Sequence, residues 1–340
     1  FIMASLVGSR VERKEDKKLL TGRGKYTADV TFAHQTYAYF VRSPHARAQI
    51  KNVDISKASK ASGVVAVLTG KDIVNDKIGG LIAGWRIKSE DGSDMKVPAH
   101  PPLASESVNY VGDHVAVVIA ESLDEARNAA ELVKVDYKVL KAVVKTDEAM
   151  KSDSIYKDIP KNLCFDWLLG DRAKVKEAFD GADKIIKVDL INNRVIPNAM
   201  EPRAANADYN PSTEEITLYT TSQNPHLARI IISAFNGVAP ENKLRVIAPD
   251  VGGGFGSKIY PYAEEVVCSW ASKKIERPVK WVGDRTESFL SDCHGRDHVT
   301  HAELAVKSDG TFLGFKNETI ANLGAYASVF GTVTPTYLFG

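Results

Sequence analysis

Cysteine is scarce in this sequence, and its spacing excludes several kinds of site. The 340 residues include three cysteines, Cys164, Cys268 and Cys293, and no C-x-x-C pair. Structural zinc sites and cysteine-held iron–sulfur clusters need closely spaced thiolates, so the sequence predicts neither within this chain. The scattered thiols fit a reducing compartment, and we expect the protein in the cytoplasm.

Excess charge and long apolar runs are also lacking. With 44 basic and 43 acidic side chains, the formal net charge of +1 gives no electrostatic reason to expect a nucleic-acid partner. The longest apolar stretches, such as VAVVIA at residues 115–120, have the length of a strand and are far too short to span a membrane. No basic segment followed by an apolar segment opens the chain, so no secretory signal is predicted. We expect a small-molecule substrate, no nucleic acid and no membrane span.

Hydrophobic patterning predicts a mixed α/β fold. Over residues 1–140, short apolar strands alternate with helices, one of which opens with Ser122 and Glu125 at capping-box spacing. Residues 141–163 are rich in lysine and aspartate and have little periodicity, which predicts a linker. Residues 164–340 would form a second domain.

The second half has clear start and stop signals. Asp171 is placed to cap a short helix, and Asn224, followed by Pro225, to cap a helix that ends at Gly237. Two strand-like runs flank Asp309 and predict a long hairpin.

A glycine loop, DVGGGFGSK at residues 250–258, lies between a predicted strand and a predicted helix. Phosphate-binding loops have this context, but a P-loop is excluded because Ser257 separates Gly256 from the lysine. A dinucleotide fingerprint is excluded as well: G-x-G-x-x-G would end on Ser257 when counted from Gly252, and on Ile259 when counted from Gly254.

Two interpretations of the loop remain on residue types alone. Successive glycines let backbone N–H groups approach an anionic, bulky ligand while Phe255 offers a flat face. Alternatively, the loop is a tight turn that serves packing only.

Seven segments along the chain carry a resemblance to a known family. They are, in order, SRVERKEDKKLLTGRGKYTADV, FVRSPHARAQI, VNYVGDHVAVVIAES, MEPRAANADY, TTSQNPHL, GGGFGSK and DRTESFLSDCHGRDHVTHAELAVKSDG. In this order they resemble the molybdenum hydroxylases, the family of xanthine dehydrogenase, aldehyde oxidase and carbon monoxide dehydrogenase large subunits. The resemblance covers essentially the whole chain and leans toward the bacterial and archaeal branch that includes carbon monoxide and aldehyde dehydrogenases.

The resemblance implies a particular architecture and chemistry. Residues 1–140 would form a hammerhead-like α/β domain, residues 141–163 a linker, and residues 164–340 the first part of a mixed α/β molybdopterin-binding domain. The family hydroxylates aldehydes, carbon monoxide or N-heterocycles with oxygen from water. It uses molybdenum held by a molybdopterin, here expected as the cytosine dinucleotide, and passes electrons to 2Fe-2S and FAD groups on partner subunits.

The resemblance also implies site residues. Gln223 matches a glutamine whose amide approaches an oxo group of the molybdenum without being a direct ligand. Gly253, Gly254, Phe255 and Gly256 match the loop that packs against the metal ligands and the pterin.

This sequence departs from the family's pattern in two ways, which narrow the predicted substrate and the predicted catalytic residues. Xanthine-oxidising relatives have a purine-binding glutamate after the loop lysine, whereas this sequence has Ile259, which argues against a purine substrate. The family's general base is expected beyond Gly340, so no catalytic residue is nominated in this chain. We therefore expect it to be inactive alone and to need a C-terminal molybdopterin-binding polypeptide, an iron–sulfur subunit and a FAD subunit. The alternatives are a cofactor-free scaffold or assembly fragment and a nucleotide-binding oxidoreductase.

Four charged residues near the loop are open to two interpretations. Glu201 and Arg203, in MEPRA, would either line a pocket or form local salt bridges. Glu264 and Glu265, on the helix after the loop, are expected to support the scaffold rather than act as a general base.

Three histidines, His294, His298 and His301, invite a metal interpretation. On a strand, His298 and His301 would point to opposite faces, so we expect structural or solvated histidines.

Overall fold

The computed structural model describes residues 7–338 of the chain, and its fold is mixed α/β, as predicted. The ends of the two predicted domains, residues 1–6 and 339–340, lie outside the described residues. The strands are β1 (Thr36–Arg42), β2 (Ala48–Asp54), β3 (Val64–Thr69), β4 (Ser107–Val108), β5 (His114–Ala120), β6 (Lys134–Val139), β7 (Lys184–Asn192), β8 (Ala204–Asn210), β9 (Glu215–Thr220), β10 (Leu244–Ile247), β11 (Val279–Val282), β12 (His298–Val306) and β13 (Phe312–Ala321). The helices are α1 (Asp16–Leu20), α2 (Gly70–Asn75), α3 (Leu123–Ala130), α4 (Arg172–Asp180), α5 (Pro225–Ile230), α6 (Ala263–Ile275) and α7 (Arg285–Ser291).

The main sheet joins strands from both halves of the chain. Its seven strands run in the order β10-β9-β8-β11-β1-β5-β3, so four of them follow the predicted linker and three precede it. The two groups meet where β1 pairs parallel with β11, through Thr36 opposite Val279 and Tyr37 opposite Lys280. The predicted division at residues 141–163 stays a prediction. Within that range lie two short 3-10 turns, Thr146–Lys151 and Pro160–Asn162.

Helices cover both faces of this sheet around β5. All seven residues of β5 are buried. Val117 and Ile119 share a core with residues of α6, while Val118, on the other face, packs in a second core with Ala129 of α3. Because a strand covered on both faces needs apolar side chains on each, this packing explains the unbroken apolar run at residues 115–120.

Two smaller three-stranded sheets complete the architecture. One has the order β4-β2-β6, and the other, β13-β12-β7, contains the predicted hairpin with its turn at Ser308–Gly310. In the second sheet, Lys307 and Gly310 close the turn through a backbone hydrogen bond.

The predicted helix starts are confirmed. The side chains of Ser122, Asp171 and Asn224 accept backbone N–H hydrogen bonds at the beginnings of α3, α4 and α5. The helix after Asn224 differs from the prediction in one respect: its second half, Ile231–Phe235, is a π-helical turn. In the part of the chain that the structure describes, no helix is both long and apolar enough to cross a membrane.

Candidate functional site

The glycine loop follows β10 and leads into α6, as its sequence context predicted. Three of its residues have positive φ angles: Gly253 at 99°, Phe255 at 50° and Gly256 at 89°. Glycine adopts this region readily, but a phenylalanine there is strained. The Phe255 side chain is 76% exposed, so burial of its ring within this chain does not offset the strain.

Gln223 lies within the curve of this loop. Its side-chain oxygen Oε1 accepts hydrogen bonds from the backbone N–H groups of Gly256, at 3.0 Å, and Lys258, at 3.3 Å. Its own backbone N–H donates to the carbonyl of Lys258 at 2.8 Å. The two groups that contact the side-chain amide, the backbone N–H groups of Gly256 and Lys258, are both donors. The atom that faces them must therefore be the amide oxygen, and Nε2 is directed away from them.

The loop has hydrogen-bond donors without acceptors in this chain. Within residues 7–338, the backbone N–H groups of Gly253, Gly254 and Phe255 and the Nε2 of Gln223 donate to no other residue. A Cβ on Gly254 would lie 2.3 Å from Oε1 of Gln223, so a side chain there cannot coexist with this amide position. Consecutive free N–H groups in a strained glycine turn form a typical receptor for an anionic or oxo-bearing ligand.

Glu201 also lies at the loop, while Arg203 does not contact it. Oε2 of Glu201 accepts the backbone N–H of Gly252 at 2.7 Å and forms an ion pair with Nζ of Lys258 at 3.1 Å. Burial lowers the pKa of Lys258, and the adjacent Glu201 carboxylate opposes that shift.

Arg203 belongs to a buried charge network beneath the site. Its guanidinium pairs with both carboxylate oxygens of Glu264 and with Asp292, and it stacks 3.7 Å from the ring centroid of Tyr262. Burial alone would raise the pKa of Glu264, but Arg203 and the other cationic or polar neighbours hold it well below its usual range. Local salt bridging is therefore the observed role of Arg203.

Two members of this network come from the first half of the chain, and sequence reasoning missed them. Arg42 on β1 donates to Glu264 at 2.8 Å and Glu287 at 2.9 Å, and Nε2 of His114 on β5 lies 2.9 Å from Glu264. Burial lowers the pKa of His114 to about 4, so the imidazole is neutral at pH 7. Arg42 stands in FVRSPHARAQI and His114 in VNYVGDHVAVVIAES, which are both segments that carried the resemblance.

Glu265, the next residue on α6, has a different environment. Its carboxyl group accepts the Thr220 hydroxyl at 2.5 Å and the Tyr262 backbone N–H at 2.6 Å. Burial raises the pKa of Glu265 to about 7. Both partners lie in the interior, so this carboxyl group joins the start of α6 to the end of β9.

The three histidines do not converge. His301 contacts Asp189 at 2.6 Å, His294 contacts the carbonyl of Phe289 at 3.2 Å, and His298 is buried. Among residues 7–338, no cluster of three or more histidine, cysteine, aspartate or glutamate side chains is arranged to hold a metal ion.

A cavity of about 470 Å³ lies beyond the loop, lined by Tyr260, Tyr262, Cys293 and the stacked pair His100 and Tyr326, among others. Neither Gln223 nor any of residues 252–258 lines it. We place the candidate site at the loop because the unsatisfied donors lie there.

Two family models match this chain. The model of the molybdopterin cofactor-binding domain matches residues 155–340. The model of the aldehyde oxidase and xanthine dehydrogenase a/b hammerhead domain matches residues 21–141.

Individual relatives are similar over nearly the whole chain. The nicotine 6-hydroxylase large subunit of Paenarthrobacter nicotinovorans is 34% identical over 96% of this chain and 39% of its own length. The carbon monoxide dehydrogenase large chain of Afipia carboxidovorans is 34% identical over 94% of this chain and 40% of its own length. The crystal structure of quinoline 2-oxidoreductase from Pseudomonas putida 86 superposes with a TM-score of 0.82 and 32% identity, over 92% of this chain and 39% of that one. The chain thus spans about 40% of the length of these two curated relatives.

Proposed function

Because the chain belongs to the family of molybdopterin-binding large subunits of aldehyde oxidase and xanthine dehydrogenase type, we propose that its glycine loop and Gln223 form one wall of a molybdenum-cofactor site. The whole enzyme would be an oxidoreductase that hydroxylates a small molecule.

One observation carries this proposal: the three consecutive free N–H groups at Gly253, Gly254 and Phe255 belong to the loop that packs against Gln223, whose Nε2 also has no acceptor within residues 7–338. These are neutral, preorganised donors. They can hydrogen-bond to the oxygen and sulfur atoms around an oxidised metal centre without adding a charge and without binding the metal themselves. The residues present therefore fit the cofactor that the family implies.

Each loop residue has a separate task in this proposal. The backbone of residues 253–256 would hold the cofactor, and the exposed face of Phe255 would pack against it. Gln223 would present an amide donor toward an oxo group of the molybdenum without ligating the metal. When bound, the cofactor supplies two-electron redox chemistry for hydroxylation with oxygen from water. We propose the cytosine dinucleotide form.

This chain would contribute to the site without completing it. We nominate no general base among its residues, because Glu264 and Glu265 are engaged inside the scaffold. A companion C-terminal molybdopterin-binding polypeptide would supply the remaining wall and the base. Separate 2Fe-2S and FAD subunits would receive the electrons, and the assembly would act in the cytoplasm.

The substrate class is an aldehyde, carbon monoxide or an N-heterocycle other than a purine. Ile259 follows Lys258 directly and offers an apolar side chain where purine recognition would need a carboxylate. Purine ring nitrogens need polar partners, since leaving them unpaired in a closed site costs affinity.

Metal and pterin analysis tests the proposal. The chain is co-expressed with its companion polypeptides, and molybdenum and pterin are measured in the purified complex together with substrate turnover. We expect stoichiometric cofactor in the wild type and a large loss of turnover in Gln223→Ala.

The outcomes separate the alternatives. A folded complex that contains every partner but no metal would mean that this chain is a cofactor-free scaffold. Protection of residues 252–258 by NAD or FAD would support a nucleotide-binding oxidoreductase, and unchanged turnover in Gln223→Ala would remove the assigned role of that residue.

A further inference from the structure

Glu201 contacts both ends of the glycine loop. At the first end, its Oε2 accepts the N–H of Gly252 at 2.7 Å, and its backbone N–H donates to the carbonyl of Gly252 at 3.3 Å. At the other end, Nζ of Lys258 donates to the backbone carbonyl of Glu201 at 2.7 Å and to Oε2 at 3.1 Å. One residue outside the loop therefore fixes the separation between Gly252, the first glycine of the loop, and Lys258, its last residue.

These contacts are shielded from water. The Lys258 side chain is 2% exposed and that of Glu201 is 14% exposed. A Cβ on Gly252 would lie 2.5 Å from Cβ of Glu201, so the two backbones are closer than a residue with a Cβ at position 252 would allow. A buried ion pair of this kind tolerates the loss of one partner poorly, because the other is left charged without compensation.

Lys258 connects Glu201 to Gln223. The side chain of Lys258 is held by Glu201, while its backbone N–H and carbonyl both hydrogen-bond to Gln223. A displacement of Lys258 therefore changes one of the two hydrogen bonds that orient the side-chain amide of Gln223, and also the hydrogen bond that holds the Gln223 backbone N–H. No other residue of the loop hydrogen-bonds to both Glu201 and Gln223.

From this arrangement we propose that Glu201 is a positioning residue: through Lys258 and Gly252 it sets the curvature of the loop and the orientation of the Gln223 amide. The inference rests on the proposed function for its biological meaning, but the mechanical coupling is a property of this chain and needs no cofactor. Glu201 itself contacts neither cofactor nor substrate in this proposal.

The small number of glutamines allows the coupling between Glu201 and the Gln223 side-chain amide to be measured directly by NMR. The sequence has three glutamines, Gln35, Gln49 and Gln223. Selective ¹⁵N-glutamine labelling of the full chain therefore yields three side-chain amide signals, which Gln223→Asn assigns by removing one. Gln35 is buried, and its side chain hydrogen-bonds to Asn206 and to the backbone of Phe32 and Thr36 rather than to Glu201, Gln223 or the loop, so its signal reports whether the main sheet is intact.

The variant Glu201→Gln removes the charge that holds Lys258. It also adds a fourth glutamine signal, which persists in the double variant Glu201→Gln/Gln223→Asn and is thereby distinguished from the signal of Gln223. We expect the Gln223 amide signal to shift by more than its linewidth while the Gln35 signal stays in place. Backbone amide exchange in a peptide covering residues 250–259 should rise at least about tenfold, because local opening no longer has to break a buried ion pair. Glu148→Gln, which removes the exposed pair between Glu148 and Lys145, is the matched control: it also adds one glutamine signal, and it should move neither the Gln223 nor the Gln35 signal.

Further variants test whether Glu201 acts on Gln223 through Lys258. Lys258→Met removes the other partner and should shift the same Gln223 signal, and the double variant with Glu201→Gln should shift it no further than the larger single effect. Glu201→Asp keeps the charge and should give a smaller shift in the same direction. If Glu201→Gln does not fold, Lys258→Met and Glu201→Asp are measured in the same way.

Two results would overturn the proposal: a Gln223 signal that superposes on the wild type in a folded variant, or equal shifts of Gln35 and Gln223, which would mean a global change. Cofactor content is measured separately in the assembled complex. If the Gln223 signal shifts in Glu201→Gln but the assembled wild-type complex contains no metal, the proposed function alone is refuted. If the signal does not shift and the complex contains normal molybdenum, the positioning role of Glu201 alone is refuted.

Discussion

Arg203 and Glu264 form a two-point ion pair in the interior, with Nη1 2.9 Å from Oε2 and Nη2 3.1 Å from Oε1. The side chains are 4% and 0% exposed. This pair fixes the segment that precedes β8 to the first turn of α6, which is also the turn that receives the glycine loop. The segment that carries Glu201 and the helix that follows the loop are thus joined through a buried charge network.

Replacing Glu264 should destabilise the protein strongly. Glu264→Gln leaves Arg203 and Arg42 buried without a full counter-charge, and breaking a buried pair by removing one partner costs about 3–5 kcal/mol. Urea denaturation measures the change in the free energy of unfolding, with Glu148→Gln as an exposed control that should cost less than about 0.5 kcal/mol. A loss below about 1 kcal/mol in Glu264→Gln would contradict the role assigned to the network.

Glu265 should make stability pH-dependent in the opposite sense to Glu264. Burial raises its pKa to about 7 in the folded protein, above its usual value of 4.5. The folded state therefore binds an extra proton between these values, and this contribution is fully present below about pH 4.5 and is lost as the pH rises through about 7.

Glu265→Gln removes that titration and can keep both contacts: its oxygen accepts the Tyr262 backbone N–H, and its NH2 group donates to the Thr220 hydroxyl oxygen. From about pH 5 to pH 8, the unfolding free energy of the variant should rise relative to the wild type by roughly 2–3 kcal/mol. Denaturation at the two pH values measures the difference, and a variant that tracks the wild type across the range would show that Glu265 is ionised in the fold throughout.

Gly254→Ala should disturb the loop without disturbing the fold. The added Cβ would lie 2.3 Å from Oε1 of Gln223, so the amide must move and the free N–H groups with it. We expect molybdenum and pterin content in the assembled complex to fall severalfold or more, with an unfolding midpoint near that of the wild type. Gly295→Ala is the matched control, because a Cβ there meets nothing within 4 Å. Full cofactor content in Gly254→Ala would contradict the assigned site.

Phe255→Gly should separate stability from ligand binding. The φ angle of 50° at Phe255 costs on the order of 1 kcal/mol for a residue with a Cβ, and its ring is 76% exposed. Relief of that strain should offset the larger chain entropy of glycine, so the stability should change by no more than about 1 kcal/mol. Cofactor retention during gel filtration should nevertheless fall. Unchanged retention would mean that the strained phenylalanine does not serve binding.

Local signals in the sequence predicted much of the fold. The caps at Ser122, Asp171 and Asn224, the hairpin around Asp309 and the strand–loop–helix context of the glycine loop all follow from short-range patterns. The position of Gln223 beside the loop came from the family resemblance, since nothing in the spacing of residues 223 and 254 places them together.

Long-range relations were beyond the sequence. Arg42, His114 and Glu264 are distant in the chain, and each alone resembles an ordinary strand or helix residue, so no local pattern identifies their network. The same applies to Glu201: MEPRA suggested either a pocket or a salt bridge, and only the fold shows that Glu201 contacts the loop while its neighbour Arg203 faces the interior.

The shared sheet has a consequence for how the protein is made. The backbone N–H and side-chain hydroxyl of Thr36 both donate to the carbonyl of Pro278, 242 positions later. During synthesis one edge of β1 therefore stays unpaired until β11 has left the ribosome, and an unpaired edge strand is a site for aggregation. Folding should be slow and should benefit from chaperones, and expression of residues 1–150 alone should yield insoluble protein.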